Sequence, residues 1–144
     1  MSKSNVFEAD VLKLIFQGVA IANLADNASV GAASTLTVAL HTSDPGETGD
    51  QTTSETSYTG YSRVVVARSA AGFAVSGTNP TTIKPVGNID FPICTASPGG
   101  AIKFFSIGTG AGNKMLYSGT VTPNIAMAVN VIPRLTTDST VTED

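Results

Sequence analysis

The sequence predicts a mainly β chain, an antiparallel β-sandwich or jelly roll with one N-terminal helix, and three observations carry that prediction. From Thr35 onward, short apolar and β-branched runs recur with the two-residue alternation of half-buried strands. Clusters of Gly, Pro and Asn break these runs every 8–15 residues or so, leaving mostly links of hairpin length, too short for parallel crossovers. Before Thr35 the period changes. Val11, Leu12, Ile15, Phe16 and Val19 recur at the three-and-four spacing of one buried helix face.

Taken in order, the helix is predicted over about 5–24. Ser4 or Asn5 supplies an N-cap oxygen, and Glu8 and Asp10 sit where the helix dipole favours anions. Gly18 weakens its middle, and Asp26-Asn27 ends it. Thr35–Thr42 alternates Thr with apolar residues and reads as a strand. Tyr61–Arg68 is a second strand, and a turn at Ala71-Gly72 leads to a third beginning Phe73-Ala74-Val75. The Ser76–Pro80 cluster turns the chain into a strand over Ile83–Phe91, with Pro85 marking an edge or bulge. Ala101–Gly108 is the strongest central strand. Gly108–Lys114 is then a hairpin turn, followed by strands over Met115–Val121 and Ile125–Ile132 with a turn at Pro123-Asn124. Val141 suits a short last strand in a polar tail.

The 144 residues form one domain over 1–144: helix at about 5–24, sandwich at about 34–135, polar tail at 136–144. A chain of this length buries enough surface to need neither disulfide nor metal. The lone Cys94 lies in an apolar run and reads as core. A net charge of −3 gives no basic field for phosphate, so no nucleic-acid partner is expected. Charged residues are only 13%, while Ser and Thr number 33, a surface suited to packing against neighbours in an assembly. Glu8 and Asp10 stand where a signal peptide needs positive charge, and no apolar run spans a membrane.

Candidate chemistry is thin. The single His41 ends a strand without any G-x-S-x-G elbow, so no catalytic residue is assigned and an enzyme is not expected. Gly108–Lys114 lacks the G-K-[ST] ending and the following helix of a phosphate loop, so no cofactor is expected. The 19-residue connection Thr42–Gly60 stands out, because long links without apolar periodicity are commonly functional or mobile. It holds Asp44, Glu47, Asp50 and Glu55, with no Lys or Arg between Lys13 and Arg63. Their spacing does not fit an EF-hand, so no metal site is assigned. Mutual repulsion is expected to keep the loop extended until a basic partner screens it. Tyr58 and Tyr61, around Gly60, are expected to anchor its far end with rings free to pack on apolar surface. The six residues Asp44, Glu47, Asp50, Glu55, Tyr58 and Tyr61 are the candidate partner-binding set. The tail Thr136–Asp144 is expected either to be disordered or to add a strand to a neighbour's sheet.

Leu36–His41, Thr42–Glu47 (TSDPGE), Thr56–Arg63 (TSYTGYSR), Arg68–Phe73 (RSAAGF), Phe105–Thr109 (FSIGT) and Met115–Gly119 (MLYSG) together resemble a family of small virion proteins of tailed bacteriophages. Members are often labelled tail-fibre or structural proteins, and some resemble jelly-roll cement proteins that decorate capsids. The resemblance implies a virion structural protein assembled in the host bacterial cytoplasm. Its implied partners are the major capsid protein and further copies of itself, with no membrane partner. The implied role is a capsid cement that clamps neighbouring subunits through many weak contacts. The alternative is a tail or tail-fibre component, structural or glycan-binding.

Overall fold

Ser4 begins the helix as the sequence predicts. Its hydroxyl accepts from the Phe7 N–H (3.3 Å), and its carbonyl takes the first helical bond from Glu8. The same hydroxyl donates to the Met115 carbonyl at 2.7 Å, so the cap also fastens the helix to the sheet. The structure is a computed structural model and describes residues 2–17, 19–25, 34–76 and 81–143.

Helix α1 spans Asn5–Gln17 and is shorter than expected. Residues 19–25 turn instead of continuing it: Ile21 bridges Ala25, and Asn23 adopts a left-handed φ of 64°. The carbonyls freed there are used elsewhere, since Arg68 donates to Leu24 at 3.1 Å. Gly18 and the predicted stop at Asp26-Asn27 lie outside the described residues, as do Gly77–Pro80 of the predicted turn.

Among the described residues, ten strands follow an antiparallel plan. They are β1 (Ser2–Lys3), β2 (Thr35–His41), β3 (Val64–Ala67), β4 (Phe73–Ser76), β5 (Thr81–Pro85), β6 (Ile89–Asp90), β7 (Ile102–Gly108), β8 (Met115–Ile125), β9 (Arg134–Leu135) and β10 (Val141–Glu143). The large sheet has the order β1-β8-β7-β2-β3. A second sheet runs β10-β5-β4, and β6 pairs with β9. Fold class is therefore as predicted: antiparallel, mainly β, with one short N-terminal helix.

One face of the large sheet makes the apolar core. Val38 and Leu40 of β2 and Ile102 and Phe105 of β7 pack with Ile89, Leu135, Phe91, Cys94 and Tyr58. Farther along the same face, Val38, Phe105 and Ile107 meet Phe73, Ile83 and Val141 of the second sheet around a cavity of only about 20 Å³. Cys94 is fully buried, in keeping with its apolar neighbours in sequence.

Three boundaries differ from the sequence reading. The expected strand Ile83–Phe91 is two strands in different sheets, because the chain leaves β5 at Val86-Gly87-Asn88 before reaching β6. The expected turn at Pro123-Asn124 lies inside the single strand β8. Thr120 faces Phe104 and Ile125 faces Ile102, so residues 121–124 bulge without strand partners and a proline costs no ladder bond there. The expected strand Ile125–Ile132 is absent: Asn130 is left-handed (φ 70°), and Val129 and Ile132 are exposed rather than core. The acidic tail is no loose end, since Val141 is buried and β10 pairs with β5 of the same chain.

Candidate functional site

On the second face of the large sheet, beside Ala39 and Phe104, lie buried polar side chains. His41, next to Leu40 in β2, points away from the core by strand alternation, as does Ser106, next to Phe105 in β7. Both are fully buried, and so is Gln51 from the long loop between β2 and β3. That loop lies folded over this face. His41 Nδ1 is 2.8 Å from the Thr53 carbonyl and Nε2 is 2.8 Å from Ser106 Oγ. Gln51 Nε2 donates to the Thr37 carbonyl at 3.0 Å and lies 3.5 Å from Ser106 Oγ. Gly108 leaves room for this side chain, because a Cβ there would stand 2.4 Å from Gln51 Oε1.

The loop is thus not extended by charge repulsion. Glu55 is neutralised by Arg63, whose Nε and Nη2 donate to its two oxygens at 2.7 and 2.8 Å. The Tyr61 hydroxyl donates to Glu55 Oε1 at 2.8 Å and accepts from the Leu40 N–H at 3.1 Å. Asp50 accepts from the Thr52 N–H and hydroxyl, which hold its carboxyl below the usual range. Asp44 accepts from the Gly46 N–H at 2.9 Å and closes a local turn. The sequence window around the carboxylates held no cation, but Arg63, just beyond it, folds back.

Of the six predicted partner residues, three turn inward. Tyr58 is 2% exposed and donates to the Pro92 carbonyl at 2.7 Å. Its ring meets Tyr61 edge-on at 5.3 Å, and Tyr61 stacks over Phe91 at 6.3 Å. Glu55 belongs to the Arg63 pair. Gly60 does take the positive φ (100°) expected of it, and its Cα packs where a Cβ would sit 2.6 Å from the Ile93 carbonyl. Asp44 and Glu47 are exposed and Asp50 is half-buried. Among the described residues none of these three carboxylates has an ion-pair partner.

The Gly108–Lys114 connection is the predicted hairpin turn, with a 3₁₀ turn at Ala111–Asn113. It supports the acidic loop rather than standing apart from it. Asn113 accepts from the Gln51 N–H through its carbonyl and from Arg63 through Oδ1, both within 3.0 Å. Lys114 pairs with Asp10 of α1, and the Asn5 N–H donates to the Glu47 carbonyl. Helix, glycine turn and acidic loop therefore form one unit. Sequence reading missed Gln51, set among polar loop residues, and Ser106, a polar residue within a predicted central strand, because neither residue type by itself signals a buried hydrogen-bonding role.

Two further features bear on function. Among the described residues no three His, Cys, Asp or Glu side chains converge as a metal site would. A groove of about 510 Å³ runs between β8 and the segment 134–140. Thr120, Thr122, Thr136 and Thr140 line it above a floor that includes Phe105 and Leu135.

The model of one protein family, described as podophage GP4 fiber I protein gp80, matches residues 2–142. The chain belongs to that family. The gp80 match covers both the acidic loop and its anchor, and agrees with the resemblance to phage structural proteins carried by Thr42–Glu47 and Thr56–Arg63. The protein is accordingly a phage structural protein of tail-fibre-like type. No curated protein matches the chain significantly. No helix among the described residues is long and apolar enough to cross a membrane.

Proposed function

We propose that this gp80-family protein is a non-enzymatic component of the phage fibre, held to a neighbouring particle protein through Asp44, Glu47 and Asp50. The observation that carries this reading is the division of labour among the loop's carboxylates. Glu55 is consumed internally by Arg63, whereas Asp44 and Glu47 are presented outward on a loop pinned to the sheet. A rigid acidic surface of this kind complements a basic patch without having to order itself on binding. The partner is therefore a basic surface of a virion protein. Further copies of this chain are part of the proposed assembly, in keeping with exposed Val65 and Val75 on the sheet-edge strands β3 and β4.

His41 and Ser106 approach as a nucleophile and base do, but both are sealed from solvent, which supports a structural use of the pair. A capsid-cement role would use the same acidic surface against major capsid subunits; the family description favours the fibre. Gold labelling of the protein on intact particles tests the station. Label at the fibre is expected, and label spread over the head would replace the fibre reading with cement.

A second reading rests on the groove between β8 and residues 134–140. Hydroxyls over an apolar floor, in a groove of about 510 Å³, suit a short glycan. Tyr58 and Tyr61 pack inward and offer no ring to such a ligand. Glycan-array binding lost in Thr122→Ala and Thr140→Ala variants would favour this reading, and an array without signal would remove it.

A further inference from the structure

The hydrogen bonds beneath the acidic loop have a fixed direction. The Thr53 carbonyl can only accept, so His41 Nδ1 carries the proton and Nε2 offers a lone pair. Ser106 Oγ, 2.8 Å away, must then donate to Nε2. The Thr37 carbonyl likewise orients the Gln51 amide with Nε2 toward it, so the same NH₂ group presents its second hydrogen to Ser106 Oγ. At the far end Arg63, which can only donate, faces Gln51 Oε1 at 3.5 Å. Donors run one way through the chain; His41, Ser106 and Gln51 are fully buried, and Arg63 is mostly so.

Protonating His41 breaks this order. Nε2–H would then point at Ser106 Oγ, whose own hydrogen loses its acceptor and whose other neighbour, Gln51 Nε2, is also a donor. A buried charge and an orphaned hydroxyl hydrogen arise together, since Ser106 Oγ can accept from both the ring and the amide but is left with no acceptor for its own proton. The charged groups around the ring are Glu55 and Asp44 from the loop and Arg63 ahead of β3, while β7 contributes only the Ser106 hydroxyl. Burial dominates and holds the imidazole below its ordinary pKa; Arg63 works in the same direction, and the Thr53 carbonyl, Glu55 and Asp44 work against it.

We propose that His41 is an acid-operated latch on the acidic loop: neutral, it ties residues 42–60 to the β2–β7 face, and protonated, it releases them while the sandwich stays folded. The sign follows from linkage. A histidine depressed in the folded state leaves stability unaffected above its free value of 6.5, and destabilises the latched state progressively as pH falls below it. As a control on docking this rests on the proposed role of the loop, but the latch itself is a property of the isolated protein.

The chain has one histidine, so its imidazole can be followed without ambiguity. The test is an NMR titration of that ring in the full chain, from pH 7.5 to 4.5, with amide hydrogen exchange measured in parallel. The expected result is a neutral Nδ1–H ring at pH 6.5 whose later protonation coincides with lost protection across 42–60, by up to about tenfold per pH unit. Amides of the β2–β7 ladder should stay protected, and a His41→Gln variant should show a loop insensitive to pH. Protonation near 6.5 with an unchanged loop would overturn the latch, as would the same acid opening in the variant or simultaneous loss of the ladder. Because no partner is present, failure here leaves the docking surface intact, and failure of docking leaves the latch intact.

Discussion

Arg63 shows how a single residue decides what the acidic loop is. With its guanidinium on Glu55, and both side chains 18% exposed, the pair is largely desolvated and doubly hydrogen-bonded. Arg63→Met strands the Glu55 carboxylate and the Tyr61 hydroxyl, and should cost about 2–3 kcal/mol, below the range for a fully buried pair because some solvent remains. Chemical denaturation checks this; a loss under about 0.5 kcal/mol would mean the pair is only a surface contact. The tyrosines beside it make a second prediction. Burial raises Tyr61 far above the ordinary phenol value and pushes Tyr58 up to about 12. Both phenols are neutral in the fold, so their contribution is intact below pH 10 and is lost as pH rises toward 12. Absorbance titration should show these two ionising only as the protein unfolds, and early ionisation with the fold retained would contradict their placement.

Among the elements, β10 makes the sharpest case. Thr136–Glu143 looks like a polar tail, yet Val141 is 7% exposed and sits opposite Ile83 in the second sheet. Val141→Ala should cost roughly 1–2 kcal/mol, and deletion from Thr136 onward should cost more by also removing the β10 ladder. Equal melting temperatures for the deletion and the full chain would sink this. What the sequence made legible were the strongly alternating strands β2 and β7, the helix start at Ser4 and the hairpin between β7 and β8. What it hid were changes of partner. Ile83–Phe91 is continuous in β-character, and only the tertiary fold decides that Pro85 and Ile89 join different sheets. Val129–Ile132 is apolar, but Asn130 turns the chain there so that its N–H can reach the Cys94 carbonyl at 2.8 Å. Helix periodicity likewise ran on to Leu24, although residues 19–25 are turned back by the Ile21–Ala25 bridge.

At the scale of the whole molecule, two faces of one sheet do different work. One buries the apolar core against the smaller sheets, and the other carries a directional polar network that seats the acidic loop. The candidate loop was legible from its length and composition, whereas its rigidity was not, because Gln51, Ser106 and Arg63 come from three separated segments. The central claim is that Asp44, Glu47 and Asp50 form the docking surface. Its most direct test replaces them together by Asn, Gln and Asn, and measures incorporation into phage particles beside the wild type. Internal bonds of Asp44 and Asp50 are kept by the amide oxygens, so folding should be preserved, and circular dichroism verifies it. Incorporation should fall for the neutral variant, most clearly when particles are washed at low ionic strength, where screening is weakest. A folded neutral variant that enters particles as fully as the wild type would contradict the account.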